Sequence, residues 1–371
     1  MRDYHGIIFA YHDEPALRDL TANRTAASLP FCSRYRLIDF ALSSLRNAGI
    51  LDVGVIMQRD YQSLLDHIGS SKAWDMSRKH GGLRMLPPFG MPHYHTGNYN
   101  GTIEALNAVG TYIRRIPQKH VVLLLGNMAA NIDLDEVIRQ HEKSGVEATA
   151  ICAGKGLQTS HNCYILGEDG LVKYIDLFRT GDAPGAASLE GYIFNKETLL
   201  KLMDVCQARN LYRFHQDAMT YFLNEAGGKM GVYLHPGYAK IIRSVDEYYE
   251  ASKDVLRPDV RRELFPANRP VRTKIHEDVS TYYGEQARSR NSLVGDNCII
   301  EGDIEDCIIF SGCHIAAGAK LRGCILMRDC VVGENAKLDY IISDKQAVFS
   351  PNSVLVGSPN LPTVVPKDAH I

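Results

Sequence analysis

At 371 residues the chain is long enough for two domains of roughly 100–200 residues each, or for one large one. A balance of 45% hydrophobic and 23% charged residues excludes a disordered or fibrous chain. With 41 Lys plus Arg against 43 Asp plus Glu, the formal net charge of −2 excludes the overall basic excess of a nucleic-acid binder. No apolar run approaches the ~18 residues of a membrane-spanning helix, and the first one is too short for a signal peptide. The expectation is a cytoplasmic protein with neither nucleic acid nor membrane as partner. Nine cysteines are dilute and odd in number. The five from Cys298 to Cys330 contain no C-x-x-C, so they read as small apolar core residues and not as a zinc site.

The first two-thirds alternates strands with helices. Gly6 to Ala10 is a short apolar run suited to a buried strand, and Leu37 to Leu45 has near-helical apolar spacing. Val53 to Met57 is a second buried strand, Thr102 to Ile113 a helix, Val121 to Leu125 a third strand and Leu134 to His141 a further helix. Such alternation predicts an α/β domain with a mostly parallel sheet covered on both faces. Ligands then belong at the carboxyl ends of the strands, in the loops after Ala10 and Leu125.

Prolines 258, 266 and 270 punctuate a charged stretch that reads as a linker over residues 257–289, separating a domain over 1–256 from one over 290–371. Beyond it the period changes. Leu293, Ile299, Ile304, Ile309, Ile315, Leu321, Leu326, Val332 and Leu338 recur at steps of five or six, with Gly, Asp or Asn between. Hairpins would alternate at period two, so the pattern predicts short strands wound into a parallel β-helix with an inward aliphatic ladder.

Particular segments narrow the reading. Leu29-Pro30-Phe31-Cys32-Ser33-Arg34-Tyr35-Arg36-Leu37-Ile38-Asp39-Phe40 resembles the VPFGGKYRIIDF run of glucose-1-phosphate adenylyltransferases. Tyr99-Asn100-Gly101-Thr102-Ile103-Glu104-Ala105 resembles their WYxGTADA loop, and Gly237-Tyr238 with Val245 to Ala251 resembles their GYW and TIDAYWEA elements. The resemblance covers nearly the whole chain in the family's order. It implies a Rossmann-like nucleotidyltransferase domain followed by a left-handed β-helix of hexapeptide repeats.

Departures fall where that family does its chemistry. Its LAGGxGTRL phosphate loop is matched by Phe9-Ala10-Tyr11-His12-Asp13-Glu14-Pro15-Ala16-Leu17, with Ala16 at the arginine position and two carboxylates where donors belong. At ~4 Å and an effective dielectric near 20, each carboxylate repels a phosphate charge by about 4 kcal/mol before screening. Asn127 and Ile241 stand at the two metal-carboxylate positions, and Ala26 at a phosphoryl-site lysine. An isoleucine offers Mg²⁺ no oxygen. The sugar-phosphate lysine of the family has no match, although Ser188 matches a sugar-site serine, with Glu190 at a glycine two residues on.

This pattern resembles the GlgD-type, regulatory subunits of bacterial glycogen synthesis. It implies a chain with little activity alone and no tightly bound cofactor. It would work in a heteromeric, tetrameric ADP-glucose pyrophosphorylase with a catalytic GlgC-type partner that uses Mg²⁺, and would self-associate in isolation. The family's activator phosphates bind between the two domains, which makes Arg24, Arg34 and Arg36 candidate effector ligands, with Arg322 or Lys337 from the β-helix. Tyr99, Gly101, Thr102, Glu104 and Ser188 are candidates for a residual nucleotide or sugar pocket. The competing readings are an active nucleotidyltransferase with a rearranged site and a stand-alone sugar-phosphate sensor. A catalytic His314 on the β-helix, or metal binding by His5, His12, His93 and His95, has only isolated histidines to support it.

Overall fold

The structure, a computed structural model, describes residues 3–11, 14–79, 81–87, 99, 101–154, 161–179, 185–275 and 277–371. His12, Asp13, His93, His95 and Asn100 lie outside the described residues. The fully buried strand Tyr4–Phe9 runs parallel to Val53–Ile56 on one side and to His120–Leu125 on the other, and Leu83–Leu86 extends the parallel set. The sheet is not uniformly parallel. Ala186–Asn195 enters antiparallel between His120–Leu125 and Ala148–Ala153, and Met230–His235 then runs parallel to Ala148–Ala153. Ile38–Asn47 and Leu134–Ser144 are helices as their apolar spacing predicts. The expected single helix from Thr102 divides into Thr102–Ala108 and Gly110–Arg115, because Val109 leaves helical geometry just before a glycine, a weak helix former.

The C-terminal region is a left-handed β-helix with three faces, each a parallel five-stranded sheet. Ile300, Ile315, Val332 and Phe349 stack inward from one face, and Ile304, Leu321 and Leu338 from the next. Its corners place Asn297, Asp306, Asp329 and Asn335 at positive φ, where short polar side chains or glycine are tolerated. Two expected ladder members are displaced by one residue. Ile299 is 43% exposed and Ile300 points inward. Leu293 aligns with Ile308, Ile325 and Ile342, which face the first domain and not the prism interior. Two-sided burial of that face hides the inward positions from a one-ladder reading.

All nine cysteines are free and buried, as their apolar reading predicts. Cys298, Cys313 and Cys330 stack on successive coils, and Cys307 stacks on Cys324.

The stretch 257–289 has structure of its own. It contains the helix Pro258–Leu264 and begins the β-helix at Tyr282–Tyr283, paired with Ile299–Ile300. Between them, Trp74 Nε1 donates to the Arg272 carbonyl at 3.1 Å and Asn131 Nδ2 to the Leu264 and Arg269 carbonyls. These bonds stitch the crossing segment to the first domain. The helix Val245–Asp254, N-capped by Ser244, joins both bodies. The Tyr248 hydroxyl donates to the Pro30 carbonyl and that of Tyr249 to the Gly323 carbonyl, each at 2.7 Å. A continuous core of Leu17, Leu20, Phe31, Phe40, Ile308 and Ile325 fills the junction.

Candidate functional site

At the carboxyl edge of the sheet aromatic side chains pack beside a cavity of about 350 Å³ lined by Tyr11, Glu14, Arg18, Ala26 and Arg59. After Tyr4–Phe9, the buried Tyr11 ring packs edge-on to Phe9 and Tyr99, with centroids 5.9 and 5.1 Å away. Burial pushes its phenol well above the ordinary range, so it is no anion and no base. Gly101 precedes the helix Thr102–Ala108 because the Tyr212 carbonyl lies 2.2 Å from where a Cβ would stand. Thr102 starts that helix, and Glu104 is buried within it. Tyr99, Gly101, Thr102 and Glu104 therefore lie together beside Tyr11, in a packed corner. Ala16 is exposed, whereas Ala26 is buried.

Asn127 and Ile241 do meet. Met128–Ala130 pairs antiparallel with Ala239–Ile241, Asn127 Nδ2 donates to the Ile242 carbonyl at 2.9 Å, and Ile242 N–H donates to the Asn127 carbonyl at 2.9 Å. Among the described residues Asn127 Oδ1 has no hydrogen-bond partner, leaving one neutral oxygen opposite a buried aliphatic side chain. Mg²⁺ takes carboxylate and water oxygens in octahedral geometry, and this pair does not fit it. No cluster of three metal-ligating side chains occurs among the described residues. Asp133, a neighbouring carboxylate, caps the helix Leu134–Ser144 and pairs with Arg269 at 2.9 Å.

Ser188 is also consumed internally. Its Oγ accepts from the Glu190 N–H at 3.0 Å and lies 3.3 Å from the Tyr192 hydroxyl, within a buried network of Tyr164, Tyr192 and His215. Burial holds His215 below the ordinary histidine range. Glu190 sits at φ 54, the left-handed conformation that favours glycine, and its carboxylate pairs with Arg243.

The opposite condition holds at the domain junction. A cavity of about 430 Å³ is lined from the first domain by Arg34, Arg36, His67 and Lys274, and from the β-helix by Arg328 and Lys345. Arg36 Nη1 donates to the Ser63 carbonyl and hydroxyl, while its backbone N–H donates to Asp39 Oδ2 at 2.9 Å. Asp39 Oδ1 in turn holds His67 Nε2 at 2.6 Å. Burial and the neighbouring Arg24 push the Arg36 guanidinium down to about 10, still charged at neutral pH. Asp66, Asp278 and Asp296 also reach the cavity, and Asp278 pairs with Arg328 at 3.3 Å. Five cations against three carboxylates give an anion-attracting concavity, able to hold phosphate by charge-assisted bonds.

Of the five basic residues expected at an effector site, Arg34 and Arg36 line this cavity, Arg24 lies at the junction but outside the lining, and Arg322 and Lys337 lie elsewhere. Arg24 is 4% exposed and makes a two-pronged ion pair to Asp344 at 2.7 and 2.8 Å, so it locks the domains together and does not present a free fork. Arg322 and Lys337 lie on another face of the β-helix, both against Asp339. They belong to a shallow groove with Arg288 and Lys320, apart from Arg36. Arg328 and Lys345 take their place, and the signal for them was periodic. Asp296, Ser311, Arg328 and Lys345 occupy the same corner of successive coils, three residues after Leu293, Ile308, Ile325 and Ile342. His67 and Lys274 carry no such signal; only the fold brings them in.

An open α/β sheet with a ligand-type loop edge, joined to a hexapeptide β-helix across a basic cavity, defines the sugar-phosphate nucleotidyltransferase class. Comparison with known proteins agrees. A nucleotidyl transferase family model matches residues 15–256, and a GlmU-like C-terminal hexapeptide model matches residues 275–360. The glycogen biosynthesis protein GlgD of Bacillus subtilis is 32% identical over 98% of this chain and 95% of its own length. Glucose-1-phosphate adenylyltransferases of Halalkalibacterium halodurans and Bacillus mycoides are 29% and 26% identical, over 85% and 94% of this chain and 83% and 93% of their own. The chain belongs to the nucleotidyl transferase family, in its glycogen-biosynthesis branch with GlgD and the glucose-1-phosphate adenylyltransferases. No helix among the described residues is long and apolar enough to cross a membrane.

Proposed function

We propose that this chain is a regulatory subunit of a cytoplasmic glucose-1-phosphate adenylyltransferase, inactive or very weak alone. It modulates a catalytic partner that makes ADP-glucose and pyrophosphate from ATP and glucose 1-phosphate with its own Mg²⁺. The reading is carried by one contrast: Asn127 and Ile241 meet where metal carboxylates are required, while the junction cavity keeps its cations. Phosphoryl transfer depends on metal clamps and positive charge at the moving group; Arg18 and Arg59 line a cavity beside Tyr11, but the Asn127–Ile241 pair gives a metal no carboxylate. The junction cavity suits an anionic effector such as a sugar phosphate, bound between two bodies whose relative position it biases.

The test is a subunit-mixing titration with a catalytic-type glucose-1-phosphate adenylyltransferase, following ADP-glucose and pyrophosphate. The expected result is no turnover by this chain alone with ATP, glucose 1-phosphate and Mg²⁺, and altered kcat or effector response on mixing, with the mixed species eluting as a tetramer. Arg36→Ala should remove the effector response and leave basal turnover of the mixture. Turnover by the isolated chain at the partner's rate, or kinetics unchanged by mixing, would overturn the proposal.

A further inference from the structure

Lys345 has a position that the effector reading does not use up. It stands at a corner of the β-helix, in the lining of the junction cavity, one residue after a carboxylate. That carboxylate, Asp344, is turned inward to Arg24 and also accepts from the Lys345 backbone N–H at 2.7 Å. Among the described residues the Lys345 ammonium forms no ion pair. Cations outnumber carboxylates around it: Arg36, Arg24 and Lys367 act on it against the attraction of Asp344, and Arg328 stands on the preceding coil, in a cavity that Asp66, Asp278 and Asp296 also reach.

We infer that Lys345 is a modification site, its amine taking the acyl group from a small acyl phosphate held through its phosphoryl end by the cavity's guanidinium groups. The inference rests on the reading of this cavity as an anion site. In the step, the Nζ lone pair attacks the acyl carbon, a C–N bond forms and the bond from that carbon to the phosphate oxygen breaks. Inorganic phosphate leaves with the bonding electrons, and the proton lost from nitrogen goes to solvent. No oxidant or metal is required. Burial, with Arg36 and Arg24 adding repulsion, pushes Lys345 down to about 8, so much more free amine is present near neutral pH than at an ordinary lysine. The product is a neutral amide, which removes one cation from the cavity and weakens its hold on anions.

The test treats the full chain with acetyl phosphate at neutral pH and follows each lysine by peptide mass spectrometry, alongside calorimetric titration with inorganic phosphate. Lys345 should be acylated on the order of tenfold faster than the exposed Lys119 and Lys143, in line with its larger free-amine fraction. Excess inorganic phosphate, or Arg328→Gln, should slow Lys345 alone. Phosphate that binds while Lys345 reacts no faster than Lys119 overturns the inference and leaves the anion reading standing. An absence of both phosphate binding and phosphate protection removes the anion reading, and the recognition step with it.

Discussion

The sheet edge and the domain junction are made from the same family frame and have gone opposite ways. At the edge, the positions expected to hold metal carboxylates carry an aliphatic side chain and an amide, Ile241 and Asn127, beside the buried ring of Tyr11. At the junction, five cations from two bodies outnumber the three carboxylates that share the cavity. The requirements of a metal-assisted site are separate, and each position can change alone. The walls of the junction cavity also join the two domains, as the Arg24–Asp344 pair behind it does.

The largest expected effect tests that shared duty. Arg24→Ala should cost about 3–5 kcal/mol in chemical denaturation, since it leaves Asp344 buried without its counter-charge. Arg24→Met with Asp344→Leu should recover most of the loss; a mild effect of Arg24→Ala would break the picture of a wall that binds both domains. Next, Arg36→Ala with Arg328→Ala should weaken inorganic phosphate binding by about two orders of magnitude in calorimetry, at ~1.5–3 kcal/mol per charge-assisted bond. Unchanged affinity would move the anion site elsewhere.

On the other side of the comparison, Asn127→Asp should cost ~1–3 kcal/mol, because the new carboxylate faces the Ile242 carbonyl it replaced a donor to. It should also form no ADP-glucose, with Ile241 still opposite; turnover restored by this single change would show the edge to be dormant and not dismantled. The smallest effect is in pH dependence. Lys345 is held near 8, below its ordinary 10.5, so the unfolded chain binds the extra proton between those values. Its charge disfavours the fold below about pH 8, and stability from this group rises as pH climbs toward 10.5. Lys345→Met should flatten that rise in denaturation curves taken from neutral to alkaline pH.

Much of the architecture was legible because burial leaves a period. The central strands appear as unbroken apolar runs, and the β-helix as a five-to-six step with Asn, Asp and Gly at its corners. The step failed at Leu293, where one face is buried on both sides and its outward aliphatics imitate inward ones, and at Ile299, a half-exposed outward aliphatic next to the inward Ile300. The antiparallel strand Ala186–Asn195 left no local mark, since register is settled by partners far away in the chain. At the site, residue types reported what was missing, and Asn127 and Ile241 do lie together. They did not report what had replaced it: Asp344 capturing Arg24, or Asp39 holding both the Arg36 backbone and His67. Those are pairings across the fold, and neither member signals the other in sequence.

The corner column of the β-helix separates two kinds of constraint. Ser311, Arg328 and Lys345 repeat at one backbone position, yet none belongs to the inward ladders that hold the coils together. Ser311 and Arg328 stand two residues after Ile309 and Leu326, which do. The ligand preference of such a cavity can therefore change by single corner substitutions that leave the inward ladders in place. A stacked-coil domain of this kind would let regulation diverge among relatives much faster than architecture.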